Sequence, residues 1–589
     1  MRRKRNTALD VERKNRRKVR RTILQAVILL AVGVLLYQAV FETKRYAEAE
    51  SAAWHNDKGF IAISYFGVGR SGTPKLIAKD RLDEQLRALK EQGYETISQQ
   101  DMLDFYQKGK PLPKKSLFLA FEDGRNDSHL FAQPLLEKYN YKATALTYAN
   151  KMGGSDHKFL QPNDLLNMQK SGYWELGTNG YRLTYINLFD RDGQFIGVRD
   201  ENQLPSKADI AYYNHYLMDF IRDSNMIPIE NRAQMEARIA GDYQKMKEIY
   251  TSTLGFVPRT YMIMHANTLY NGMNRLVADS NDAQIRKLFA MHFNREGFAY
   301  NTRKDSLYDL TRVQPDPYWS TNHLLMKIQT DTQQKVRFVQ GDEQYAAQWS
   351  LLGGAAEFKG SQIVLTSSPG ESGQLYLDNQ SGSQDLQVSA KLEGNVVGTQ
   401  AICLRADPKQ DSFVRVVLHD NVLAVEQQKA GNRSLEQLYA APLDKVQWKP
   451  EDLAYDKAAV YSKALIEGGA PLEDAGYPVN IRKTRQLDLL LQGDKLSVFV
   501  DKQARVKRQP VDSSIASGGV MLEAASSEHN QQDDIYDGVF TDVHVTALAE
   551  GSLAQGTVLF ENAYVGVEKV WEAIKKAAFA SVDWVMETF

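Results

Sequence analysis

From Gly59 onward, short apolar runs alternate with stretches whose hydrophobic positions recur every three or four residues. Phe60–Phe66 reads as a buried strand. Asp80–Gly93 sets Leu82, Leu86 and Leu89 on one helical face, and Gly93 stops that helix. Further strands are predicted at Tyr94–Ser98, Ser116–Phe121, Ala143–Thr147 and Trp174–Gly177. Helices are predicted at Leu130–Lys138, Pro162–Ser171 and Gln234–Leu254. Leu288–Phe293 and a helix over Thr321–Ile328 close the pattern. Strand–helix alternation predicts a parallel α/β unit over 58–335, a (β/α) barrel or a distorted one.

After residue 335 the period changes to two. Candidate strands run from Ala356–Phe358 through Gln362–Thr366, Leu386–Leu392, Phe413–Leu418 and Gln486–Leu491 to Gly538–Val545. Short alternating strands separated by Gly, Asn and Asp turns predict an all-β jelly-roll sandwich over 340–550, interrupted by an insertion at 434–480. Residues 556–589 are expected to end in an amphipathic helix, with Val567, Val570, Trp571, Ile574, Val582, Val585 and Phe589 near one stripe.

The N-terminal end is different. Thr22–Phe41 carries no charge over 20 residues. A helix of that length spans about 30 Å, the thickness of the hydrocarbon layer. Residues 1–21 hold eleven Lys/Arg against Asp10 and Glu12. That asymmetry predicts a single transmembrane helix at 22–41, a cytoplasmic tail at 1–21, a polar helical stem at 42–57 and an extracytoplasmic body. The whole chain of 589 residues has a net charge of −1, so the body is acidic and nucleic acid is not an expected partner. The one cysteine, Cys403, excludes an internal disulfide framework.

The sharpest chemical feature is Phe121-Glu122-Asp123-Gly124, at the end of an apolar strand. Parallel α/β folds place their sites at the C-terminal ends of strands, and two adjacent carboxylates there can divide metal binding and proton transfer. An Asp-Gly turn that merely ends a strand is the alternative.

The order of these segments resembles the polysaccharide deacetylases, the NodB-homology family (carbohydrate esterase family four). The resemblance runs over about 58–330. It is carried by Phe60–Phe66, Leu82–Tyr94, Ala120-Phe-Glu-Asp-Gly124, Tyr139-Asn-Tyr-Lys-Ala-Thr144, Ser171-Gly-Tyr-Trp-Glu-Leu-Gly177 and Leu310-Thr-Arg-Val313. It implies a distorted NodB-type barrel and metal-assisted amide hydrolysis, with Glu122 as general base and Asp123 as metal ligand. The family's two metal-binding histidines would fall on Asn179 and Leu183, and neither is histidine. An amide carbonyl is a poor zinc ligand and an alkyl group is none. Arg259, in Pro258–His265, is the nearest candidate for the family's arginine motif. Asp127, Glu175, Asn179 and Arg259 are therefore the candidate substrate-binding residues, and His129, His265 and His292 the candidates for a rebuilt metal site. A metal-free acid/base pair drawn from Glu122, Asp123, Asp127 and Glu175 also stays open.

The implied partner is a cell-envelope or exopolysaccharide glycan, with polysaccharide synthesis or export proteins as further partners. No cofactor is expected, a divalent metal at Asp123 being the alternative. A non-catalytic glycan-binding scaffold is the rival function. The sandwich resembles laminin-G and concanavalin-like jelly rolls, with Trp349, Tyr376, Trp448, Tyr455 and Tyr536 as candidate sugar platforms. The acidic run Gln531–Asp537 is a candidate calcium loop or a solvated one.

Overall fold

A computed structural model describes residues 18–23, 25–27, 29, 45–73, 75–190, 192–204, 210–263, 269, 273–380, 383–393, 398–419, 422–432, 434–443, 484–527, 533–549 and 556–564. Most of Thr22–Phe41 lies outside them, as do His265, Trp448, Tyr455, residues 444–483 and the predicted C-terminal helix. No helix among the described residues is long and apolar enough to cross a membrane. The described part of the stem is not an α-helix. It runs from Arg45 against the barrel, where Tyr46 N–H donates to the Ser171 carbonyl and the Tyr46 ring meets Tyr173 edge-on.

The first unit is a nearly closed mixed barrel. Its main path of strands is β1 (Gly59–Tyr65), β2 (Ser116–Phe121), β3 (Ala143–Tyr148), β4 (Trp174–Gly180), and, after an excursion, β8 (Thr260–Met262), β9 (Met291–Glu296), β10 (Tyr300–Thr302) and β11 (Leu310–Arg312), with the two-residue strand Glu95–Thr96 paired parallel to β2 off that path. They pair in the order β10-β1-β2-β3-β4-β8-β9-β11, parallel throughout except for β10. Backbone bonds from Ser64 N–H to the Val313 carbonyl and from Val313 N–H to the Ala62 carbonyl bring β11's end back against β1 and close the ring. Helices α1 (Lys79–Glu91), α3 (Asn126–Tyr139), α4 (Pro162–Lys170), α5 (Arg232–Leu254), α6 (Arg275–Leu288) and α7 (Thr321–Thr332) cover it. Helix α2 (Gln99–Lys108), begun by a Ser98–Asp101 capping box and ended by Gly109 at φ 67°, plugs the N-terminal end with Met102, Leu103 and Phe105.

Between β4 and α5 lies an antiparallel sheet absent from the sequence reading: β5 (Thr184–Asp190), β6 (Phe195–Asp200) and β7 (Ile210–His215), in the order β7-β5-β6. Register shifts in both pairings, with Asn187 at φ 58°, break the period of two that would have revealed it. It grows from the C-terminal end of β4, beside the barrel mouth.

The second unit is an all-antiparallel sandwich. One sheet contains β12 (Ser350–Gly353), β15 (Gly373–Leu377), β24 (Gly519–Ser526), β17 (Gly398–Asp407), β18 (Ser412–His419), β19 (Val422–Gln428) and β20 (Glu436–Pro442), in that spatial order. The other contains β13 (Ala355–Lys359), β14 (Gln362–Thr366), β25 (Asp537–Leu548), β16 (Leu386–Glu393), β21 (Arg485–Gln492), β22 (Lys495–Val500) and β23 (Gln503–Pro510), with β26 (Gly556–Glu561) beside β25. Alternation sets the core: Leu386, Val388, Ala390 and Leu392 of β16 point in and are fully buried. Two sequence expectations are corrected. The insertion does not begin at 434, because β20 pairs with β19; and 556–561 is a strand, because its backbone completes the edge of β25.

The units meet across a buried ionic cluster. His323 of α7 lies between Asp533 and Asp537, with Nε2 2.8 Å from one carboxylate and Nδ1 3.0 Å from the other, and stacks on Trp319 at 4.2 Å. Asp537 also accepts from the Ser320 N–H and hydroxyl and from the Thr366 hydroxyl. Burial alone would lower the His323 pKa, but Asp533 and Asp537 raise it to about 10. Of the three described aspartates of the acidic run, Asp533 and Asp537 are therefore committed to a histidine, and Asp534 is exposed. Met326, Ala355 and Ile535 form a small apolar cluster at the same junction.

Candidate functional site at the barrel mouth

Strand parity determines which side chains enter the barrel. Phe60, Ala62, Phe118, Ala120, Leu146, Met262, Phe293 and Leu310 share the interior, while Ile61, Ile63, Leu117, Leu119, Ala143, Ala145, Trp174 and Leu176 face the helices. Two residues further along each strand, the same phase carries Ser64, Glu122, Tyr148, Asn179 and Arg312 into the uppermost interior layer. The interior is thus apolar at mid-height and polar at the C-terminal mouth.

Glu122 and Arg312 are each 2% exposed. Glu122 Oε1 accepts from the Ser64 hydroxyl at 2.6 Å and from Arg312 Nε at 3.0 Å. Arg312 Nη2 also lies 3.3 Å from Glu296, while Nη1 has no hydrogen-bond partner among the described residues. The carboxylate is held by two donors, and the pair is costly to break from either side. Asn179 is equally committed: its Oδ1 accepts the Asp123 N–H at 3.1 Å and its Nδ2 donates to the Met262 carbonyl at 3.0 Å.

Asp123 turns the chain out of β2 at φ 66°, followed by Gly124 at φ 62°. A Cβ on Gly124 would approach Thr147 Cγ2 to 2.9 Å, so the turn needs glycine both for conformation and for space. Burial raises the Asp123 pKa to about 7, against the opposing pull of Arg125. No hydrogen bond reaches its carboxylate among the described residues. Asp127 instead takes both prongs of Arg125, at 3.0 and 2.7 Å, and Lys151 pairs with Glu201 at 3.1 Å on the rim.

The other candidates are scattered. Glu175 is the second residue of β4 and therefore lies at the N-terminal end, where it accepts the Gln99 N–H at 2.8 Å; burial raises its pKa to about 7. Arg259 is exposed at that same end, bonded to Gln100. Leu183 is half-buried, and its carbonyl accepts the Glu201 N–H. His129 leans on Trp174 outside the barrel, its pKa lowered by burial. His292 also faces outward, stacked on Tyr261 with Nδ1 3.2 Å from the Tyr308 carbonyl, its pKa pushed down to about 3 by burial. In the sandwich, Trp349 and Tyr536 are buried core residues, and only Tyr376 of the described aromatics named above is partly exposed.

The structure thus brings together Glu122, Asp123 and Asn179, and keeps Glu175 and Arg259 away from them. A zinc needs three protein donors. No group of three or more His, Cys, Asp or Glu side chains stands in position to hold a metal among the described residues. Asn179 offers only a neutral oxygen that already accepts a backbone N–H, and Glu122 is paired, so these residues do not fit the metal. Sequence reasoning missed Ser64, Tyr148 and Arg312. The phase of Ala143-Thr-Ala-Leu-Thr-Tyr148 carried a signal for Tyr148, since Leu146 and Tyr148 share a side.

No protein-family model matches the chain. The chain is 28% identical over 127 residues to a poly-β-1,6-N-acetyl-D-glucosamine N-deacetylase of Escherichia coli O157:H7, covering 20% of this chain and 19% of that protein. It is 26% identical over 124 residues to the enzyme of that name from Staphylococcus aureus (strain MSSA476), covering 20% of this chain and 42% of that one. The matches therefore span less than half of these relatives' own length. Among solved structures, a de-N-acetylase from Aggregatibacter actinomycetemcomitans aligns at 16% identity and a TM-score of 0.34, over 45% of this chain and 98% of that one.

Proposed function

We propose that this is a polysaccharide deacetylase-like protein of the cell envelope that engages an exopolysaccharide of N-acetylglucosamine at the barrel mouth, with the family's zinc site degenerate. The body sits outside the membrane, anchored by Thr22–Phe41, and works beside polysaccharide synthesis or export proteins. The observation that supports this reading best is the pairing of Glu122 with Arg312 and Ser64, next to an Asn179 whose oxygen is taken. A proton moved onto Glu122 would dismantle a buried ion pair, so recognition is favoured over metal-assisted hydrolysis. The curated relatives' substrate supplies the glycan class.

One observation favours a second reading, metal-free hydrolysis. Asp123 stands at the mouth with its pKa raised to about 7, suited to exchanging a proton near neutral pH. The test uses the full chain in detergent with a β-1,6-linked N-acetylglucosamine pentamer. Binding by calorimetry without acetate release is the expected result. Stoichiometric zinc with chelator-sensitive acetate release would overturn the degenerate-site reading. Chelator-insensitive release, lost in Asp123→Asn, would select the second reading. Absence of binding would overturn both.

A further inference from the structure

Of the polar side chains that enter the uppermost layer of the barrel, four are engaged: Ser64, Glu122 and Arg312 with one another, and Asn179 with two backbone groups. The fifth is Tyr148. It ends β3, follows Leu146 into the interior, and is 1% exposed. Its hydroxyl has no hydrogen-bond partner among the described residues. A buried hydroxyl without a partner costs stability that a phenylalanine of the same shape would not. Where such a group borders a barrel mouth, it is available to a partner from outside the fold.

The neighbouring rim supplies the complement. Asp123 sits at φ 66°, a conformation that a non-glycine residue adopts at a cost and that collects at functional sites. Its carboxylate accepts no hydrogen bond among the described residues, although Asp127 and Glu201 beside it are both paired with cations. Asp123 lies beside the end of β3, because the next residue, Gly124, packs against Thr147, the residue before Tyr148. An unused donor thus stands near an unused acceptor, and the other inner-layer side chains are each engaged through at least one polar atom, Arg312 Nη1 being the further atom left unpartnered among the described residues.

We propose that Tyr148 and Asp123 form a subsite for the acetamido group of an N-acetylhexosamine unit, with Tyr148 Oη–H donating to the acetamido carbonyl and Asp123 accepting its N–H. The subsite rests on the reading of the mouth as a glycan site. The two groups match an amide because an amide presents one acceptor and one donor on one plane. A deacetylated unit offers Asp123 a cation but returns no carbonyl to Tyr148. Tyr148 therefore favours the acetylated sugar, and its contribution is absent for the free amine.

The experiment measures binding of the acetylated pentamer and its fully deacetylated counterpart to the full chain and to Tyr148→Phe. The expected result is about a tenfold loss for the acetylated pentamer in Tyr148→Phe, the size of one hydrogen bond, and no change for the deacetylated one. Thermal unfolding of the same variant is expected to match or exceed that of the parent, since the lost hydroxyl bonds nothing within the fold. Parent-like affinity of Tyr148→Phe for the acetylated pentamer would overturn the subsite while leaving the glycan reading intact. Equal losses for both pentamers, or a lowered unfolding temperature, would assign the hydroxyl a structural role and also overturn it. A parent chain that binds neither pentamer would overturn the reading on which the subsite rests.

Discussion

Two buried ionic clusters, one at the barrel mouth and one at the junction with the sandwich, use the same chemistry for different ends. At the mouth, Glu122 and Arg312 neutralise each other inside a single unit, and the layer around them keeps a Tyr148 hydroxyl and an Arg312 Nη1 that are unpartnered among the described residues. At the junction, His323 from one unit is held by Asp533 and Asp537 from the other, and Asp537 collects three further donors. Unspent hydrogen-bonding capacity suits a place that meets a ligand. Capacity spent across a boundary suits a place that must not open. Neither burial of charge nor a leftover polar group alone marks a functional site, since Trp319 Nε1 and Thr321 Oγ1 at the junction are also unpartnered among the described residues; what distinguishes the mouth is an unpartnered hydroxyl, Tyr148, near a carboxylate, Asp123, that accepts no hydrogen bond among them.

The largest effect is expected from stranding a charge at the mouth. Glu122→Ala leaves Arg312 buried without its carboxylate and should cost about 3–5 kcal/mol, read by chemical denaturation. Glu122→Leu combined with Arg312→Met removes both charges and should recover most of that loss. If the double variant is no more stable than the single one, the pair is not the reason for the loss.

Breaking the junction should cost less at neutral pH and should depend on pH. The His323 pKa is raised to about 10, so its contribution is complete below the unfolded value of about 6.5 and is lost as pH rises through 10. The Asp537 pKa is lowered below its ordinary value, chiefly by His323 against the cost of burial; its contribution is present above about 4 and lost as pH falls. The stability difference between the parent chain and His323→Gln should therefore be widest between about pH 4 and 6.5 and narrow toward pH 10. A difference that does not vary with pH over that range would show that His323 contributes by packing on Trp319 and not by charge.

The smallest effects are expected at the other end of the barrel. Glu175→Gln keeps an acceptor for the Gln99 N–H and removes a carboxylate whose ionisation burial opposes. Its folded pKa is raised, so the native carboxyl favours the fold only while protonated; the variant should equal or slightly exceed the parent at pH 8 and lose that margin toward pH 5. Arg259→Ala, at an exposed site, should change stability by no more than about 0.5 kcal/mol. Neither should alter pentamer affinity. A marked loss of binding in either would erase the distinction between the two ends.

Much of the scaffold was legible in the sequence because burial imposes a period. Leu82, Leu86 and Leu89 mark a helix, the apolar run Leu117–Phe121 marks a strand enclosed on both faces, and Leu386, Val388, Ala390 and Leu392 mark a sheet with one face in the core. Glu122 and Asp123 could be placed at a strand exit for the same reason. The sheet of β5, β6 and β7 was not legible, because bulges destroy the period on which such a reading depends. Glu175 and Arg259 were drawn toward the site by motif position, although Glu175 opens its strand and Arg259 precedes its own, which puts both at the end that α2 closes.

The sequence by itself determined the alternation of strand and helix, the later change to period two, and an acid pair ending a buried strand. These are local consequences of burying apolar faces. Only the tertiary structure decided what the acids meet. Arg312 lies 190 residues from Glu122 and reaches it because β11 closes on β1. Asp537 lies 214 residues from His323 and reaches it because β25 packs against the start of α7. Chain separation carries no record of such meetings. They depend on strand order, on barrel closure and on which face each side chain takes, so the pairing at the mouth, the hydroxyl left beside it and the clasp at the junction were settled in space.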